Sequence, residues 1–146
     1  MGPVTLQGLV ESAELIIYGR VGGLTTERQT IKADLSSEMH GRGLYTINAS
    51  ISPIEVIKGH APDPVIVTSI AGMEDHPVFR ADENAIFFLV CNKDEGTYRT
   101  VALAQGKYDV ANGQVVREGL KVEEFINLIR DMLPPTSPAQ TSGLPL

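Results

Sequence analysis

The chain has 146 residues, 42% of them hydrophobic and 21% charged, the length of one domain with enough apolar material for one core. Lys plus Arg number 12 and Asp plus Glu 18, and the formal net charge of −6 argues against a protein that grips nucleic acid through its overall field. No apolar run approaches the ~18–20 residues that span a bilayer, and a lone cysteine, Cys91, excludes an internal disulfide and a CxxC metal site.

Leu6, Leu9, Val10 and Ala13 fall at i, i+3, i+4 and i+7, one face of a short helix that Gly8 weakens, so this helix needs a larger surface to pack on. Leu15 to Leu24, rich in Ile, Val and Tyr, reads as a first strand ending near Gly22-Gly23. Residues 25–43 are polar and read as a long loop or an extended hairpin arm. From Leu44 to Ile57 the pattern is again a strand, with Tyr45, Ile47, Ala49 and Ile51 on one face. The apolar phase then slips to Ile54 and Val56 at Ser52-Pro53, where a proline that cannot donate to a ladder predicts a bulge or bend.

A turn over 58–64 leads into a strand from Val65 to Ile70, and Ala85 to Val90 is apolar at nearly every position, as a strand buried on both faces would be. A turn over 92–96 precedes a strand from Thr97 to Leu103. Lys107–Val110 and Gln114–Arg117 read as a hairpin closed by Asn112-Gly113. Val122, Phe125, Ile126, Ile129 and Leu133 make the apolar stripe of a last helix, with Glu123 and Glu124 at its positive end and Pro134 as its stop. Residues 4–133 therefore read as one mainly β, antiparallel domain with a helix near each end. Residues 134–146, with four of the nine prolines and no charge, read as a Pro-rich flexible tail.

Several short motifs recur in a known order. They are Leu9–Val21 (LVESAELIIYGRV), Tyr45-Thr46, Glu55-Val56-Ile57-Lys58-Gly59, Phe79-Arg80-Ala81-Asp82-Glu83, Phe88-Leu89 and Ala104-Gln105-Gly106-Lys107-Tyr108. In this order, over residues 6–133, the chain resembles a family of small bacterial extracytoplasmic domains with a netrin-like, OB-type barrel. The resemblance implies an OB-like barrel between the two helices and a location outside the cytoplasm, secreted or at the cell surface, with the signal segment absent from this chain. Relatives by fold include the tissue inhibitors of metalloproteases, which act through an N-terminal cysteine. Met1-Gly2-Pro3-Val4 stands at the start here, so no inhibitory residue carries over. What the resemblance implies is an accessory or interaction module.

The residues themselves offer little chemistry. His40, His60 and His76 lie in different loops with no metal-ligand spacing and no HExxH. Glu74-Asp75-His76 is the densest group of possible metal ligands, and ordinary loop polarity accounts for it equally well. Cys91 follows an apolar strand, where a free cysteine behaves as a small hydrophobe, and no Gly-x-Ser-x-Gly elbow accompanies the histidines. Adjacent acid pairs such as Asp82-Glu83 and Asp94-Glu95 diverge on a strand or loop. Asn48-Ala49-Ser50 matches a glycosylation acceptor by chance, mid-strand. The expectation is a non-enzymatic protein without catalytic residues, metal or cofactor, which takes a protein partner or associates with itself, without nucleic acid and without inserting in a membrane. The two function classes that remain are an interaction or inhibitory module, and a structural subunit joined through the tail or a sheet edge.

Overall fold

A computed structural model describes residues 5–28, 45–71, 76–92 and 96–133. Helix α1 (Leu6–Ser12) is followed by β1 (Leu15–Arg28), β2 (Tyr45–Lys58), β3 (Val65–Ala71), β4 (Asn84–Asn92) and β5 (Thr97–Thr100). A 3-10 turn (Leu103–Gly106) leads to β6 (Lys107–Ala111), β7 (Gln114–Val115) and β8 (Leu120–Lys121), and helix α2 (Val122–Met132) completes the described chain. The Pro-rich tail, Leu44, the greater part of the 25–43 segment, and Glu74 with Asp75 lie outside the described residues.

The fold is mainly β, with eight strands in one mixed sheet and two helices among the described residues. β1 pairs antiparallel with β2 on one side and with β4 on the other. β2 pairs with β3, β4 with β5 and β6, β6 with the short β7, and β7 with β8. The pairings are antiparallel, as expected of a mainly antiparallel domain, except at one point. β3 meets β5 in parallel, through the single pair Val67 and Tyr98, so the curl that runs from β1 round through β5 and β4 is only lightly joined there.

β1 continues past Gly22-Gly23, where the sequence suggested an end. The two glycines lie where the register shifts between Val21 and Leu24, and pairing then resumes from Leu24 opposite Ala49 to Arg28 opposite Tyr45. The start of the polar 25–43 segment is thus the arm of a long hairpin. The irregularity expected near Pro53 is present, since Gly19 pairs with Pro53 and Tyr18 with Glu55, leaving Ile54 without an opposite residue. Its consequence differs from the expectation. The strand turns Ile57 inward, whereas Ile54 and Val56 stay exposed.

β4 divides two apolar clusters. Ala85, Phe87 and Leu89 face inside the curl with Val21, Ile51, Val67 and Phe79, and Ile86 and Phe88 face outward beneath both helices. An alternating strand becomes continuously apolar when both faces are covered, and the pleat sends neighbours to opposite clusters. α1 is held at its start by Thr5 Oγ1, which accepts from the Gly8 N–H at 3.0 Å, and at its end by Lys58 Nζ, which donates to the Val10 carbonyl at 2.8 Å. These partners offset the cost of Gly8 in a helix of 7 residues. In α2, Val122, Phe125, Ile126 and Ile129 are buried, and Glu124 accepts from the Lys121 N–H at 3.2 Å.

Two connections depart from their predicted lengths. The strand expected over Thr97–Leu103 stops at Thr100 because the backbone turns left-handed at Ala102 and Leu103. Gly106 then passes so close to Val101 that a Cβ would stand 2.3 Å from its carbonyl oxygen. The Asn112-Gly113 turn forms with positive φ at both residues, as a two-residue hairpin requires. Its second strand is only Gln114–Val115, because the chain folds back through Gly119 to pair Leu120–Lys121 with it.

Candidate functional site

Two adjoining grooves lie where β3, β5, β6 and the segment 76–80 come together, and both are lined by His76 and Pro77. The larger, about 510 Å³, is walled by Thr68, His76, Cys91, Asn92, Arg99 and Leu103. Its floor is a connected polar network. Asn92 donates to Thr68 Oγ1 at 3.0 Å and to Thr97 Oγ1 at 2.9 Å, while Arg99 donates to Asn92 Oδ1 at 2.9 Å.

This groove gathers a thiol, an imidazole and a carboxamide, the side-chain types of a cysteine hydrolase, from residues separated in sequence. Their bonds do not fit that use. Cys91 is exposed, contrary to its expected place in the core, and its Sγ donates to the Asn92 carbonyl at 3.6 Å. Cys91 shares the face of Phe87 and Leu89 but stands next to the strand's end at Asn92, beyond Leu89, the last β4 residue of that inner cluster. His76 Nδ1 accepts from the Ile70 N–H at 3.4 Å, and the Asn92 amide is occupied by the two threonines. A nucleophile needs its base within hydrogen-bond reach, and no such bond links Cys91 to His76 among the described residues.

His76 is also the one member of the candidate trio Glu74, Asp75 and His76 that the structure describes. Its Nδ1 is engaged with the backbone of β3, and among the described residues no group of three or more His, Cys, Asp or Glu could hold a metal ion.

The second groove, about 310 Å³, is charged, and its lining includes Val78, Arg80, Lys107, Asp109 and Arg117. Lys107 is its buried centre, with only 5% of its side chain exposed. It pairs with Glu83 at 3.0 Å and with Asp109, and its ammonium stands 5.9 Å from the Phe79 ring centroid. Glu83 also accepts from the Arg80 N–H at 2.9 Å. The Arg117 guanidinium lies 3.8 Å from the centroid of the Tyr108 ring and donates to the Lys107 carbonyl at 2.6 Å. Phe79, Arg80 and Glu83 belong to one of the motifs quoted above and Lys107 and Tyr108 to another, so two distant motifs meet in one cluster.

Burial of the Tyr108 hydroxyl pushes its pKa above the usual 10.0. The Arg117 charge opposes that shift and Glu118 adds to it. The unfolded chain ionises Tyr108 near pH 10 and the folded chain only at higher pH, so the folded state holds the extra proton between the two values. Stability should therefore be unaffected by this group below pH 10 and fall as the pH rises from 10 through the raised value. An alkaline titration followed by tyrosinate absorbance should show a late step from Tyr108, and Tyr108→Phe should remove it.

No local pattern marks Arg80, Arg99, Arg117 and Lys107 as the lining of adjoining grooves. They come from four separate segments, and only two of them fall in the quoted motifs. No helix among the described residues is long and apolar enough to cross a membrane. No protein-family model matches the chain, and no curated protein matches it.

Proposed function

We propose that the chain is a netrin-like, OB-type module that works outside the cytoplasm by binding another protein, with no catalysis of its own. The compartment rests on the resemblance of the motifs. The barrel reading is supported by the round of pairings from β1 through β2, β3, β5 and β4 back to β1, a partly open ring of five strands as OB-type folds have.

The binding reading is carried by one observation. The two grooves that share His76 and Pro77 are bordered by two exposed apolar side chains, Val78 at 62% and Leu103 at 40%. Apolar anchors beside polar grooves are the composition of a protein-binding patch. The second reading, a structural subunit that associates with itself, is favoured by exposed Ile54 and Val56 on β2.

A photo-crosslinking amino acid placed at position 78 or at position 54 separates the two. A heterologous adduct formed at 78 in an extract of the native source, and lost on Leu103→Glu, is the expected result. An adduct of twice the chain mass formed at 54 instead favours the assembly. Absence of any adduct at 78 overturns the binding reading.

A further inference from the structure

We propose that the second groove receives an acidic segment of a partner protein, its aspartate or glutamate carboxylates taken by Arg80 and Arg117 while a neighbouring apolar side chain lies against Val78. This rests on the interaction reading above and gives the partner its chemistry.

The argument starts from charge. Three positive side chains, Arg80, Lys107 and Arg117, line the groove against one carboxylate, Asp109, in a chain whose net charge is −6. Lys107 is already neutralised by Glu83 and Asp109. Arg80 and Arg117 have no ion-pair partner among the described residues, and both are exposed. Arg117 is also held in place, stacked on Tyr108 and bonded to the Lys107 carbonyl. A guanidinium fixed by stacking loses less freedom when its remaining donors take a carboxylate, and its fork matches that group in bidentate fashion.

The surroundings select the kind of anion. Asp109, half exposed on the same wall, repels a dianion more than a single carboxylate. Val78 beside the arginines offers apolar contact that a free inorganic anion cannot use. Nucleic acid would meet the field of an acidic chain, with two unpaired arginines in the groove to offset it. Alternating acidic and apolar side chains on an extended segment satisfy all three features.

The test is fluorescence polarisation of the whole chain with a short labelled peptide that repeats Glu-Leu-Asp, beside matched peptides with Gln and Asn, or Lys, at the acidic positions. The expected result is binding of the acidic peptide at least about tenfold tighter than either control, weakening steeply as salt is raised. Arg80→Glu should reduce it by a similar factor with no change in melting point, since the Arg80 side chain makes no hydrogen bond or ion pair among the described residues. Arg117→Ala should also weaken it, but that change bares the Tyr108 ring, so the Arg80 variant decides.

Equal binding of the acidic and neutral peptides, or no loss with Arg80→Glu, overturns the proposal. Complete displacement by millimolar inorganic phosphate reduces the groove to an adventitious anion site and overturns it too. Self-association that Arg80→Glu abolishes would make a second copy of this chain the occupant, again contrary to the proposal. A partner adduct at position 78 together with indifference to acidic peptides sinks this inference and spares the interaction reading. Arg80-dependent peptide binding without any such adduct does the reverse.

Discussion

Phe125→Ala should lower the stability of the domain by roughly 3–5 kcal/mol, the usual cost of cutting a buried phenylalanine back to its Cβ. Phe125 is fully buried, 5.0 Å from the Tyr108 ring centroid, in the cluster that joins both helices to Ile86 and Phe88 of β4. Nothing nearby is free to fill the gap, because Leu9, Ile126 and Ile129 are themselves packed in place. Against the ~5–15 kcal/mol of a typical domain this is a large fraction, and it should appear as a melting point lower by roughly 10–20 °C. Leu128→Ala, on the exposed side of the same helix, should change it by only about 1 °C or so. If the Phe125 variant melts like the parent, the helix is not part of the core and projects outward for a partner.

The second large effect concerns Lys107 and Glu83. Their side chains are 5% and 15% exposed, so this ion pair lies largely out of water. Removing one member of such a pair leaves an uncompensated buried charge and costs about 3–5 kcal/mol, whereas replacing both with apolar groups of similar volume is often nearly neutral. Asp109 remains near Lys107 but is half exposed, and solvent screens it. Glu83→Leu should therefore cost roughly 3 kcal/mol, at the lower end of that range. Lys107→Met should cost a similar amount, and the double variant clearly less than the sum of the two. Urea melts of the four proteins measure this directly, and strict additivity would mean that the pair contributes no coupling.

The elements most legible in the sequence were those whose signal is local. The apolar stripe through Val122, Phe125, Ile126 and Ile129 needs only helical geometry to be read, and all four are buried. Asn112-Gly113 announced its turn because both residues tolerate positive φ. The run Ala85–Val90 announced burial on both faces because it leaves no polar face to wet.

Other readings failed where the outcome depended on a distant strand. Gly22-Gly23 looked like an end, yet β2 offered continued pairing beyond it. Ile54 looked like an inward residue, but the irregularity at Pro53 set it outside. Cys91 looked like core because an apolar run precedes it, although β4 had by then reached its uncovered end. For the candidate site the sequence singled out Glu74, Asp75 and His76, and of these the structure describes only His76, at the junction of the two grooves.

By itself, then, the sequence determined a mainly β domain with a helix near each end, its tight hairpin turn and the irregularity in its second strand. Each of these follows from the conformational preferences of a few neighbouring residues. The tertiary structure alone decided that both helices lie on the outer face of β4 and that Arg80, Lys107 and Arg117 share one groove. Those outcomes depend on which strands pair and in what register. Pairing is chosen by the summed burial of many side chains far apart in the chain, and no short stretch of sequence carries that sum.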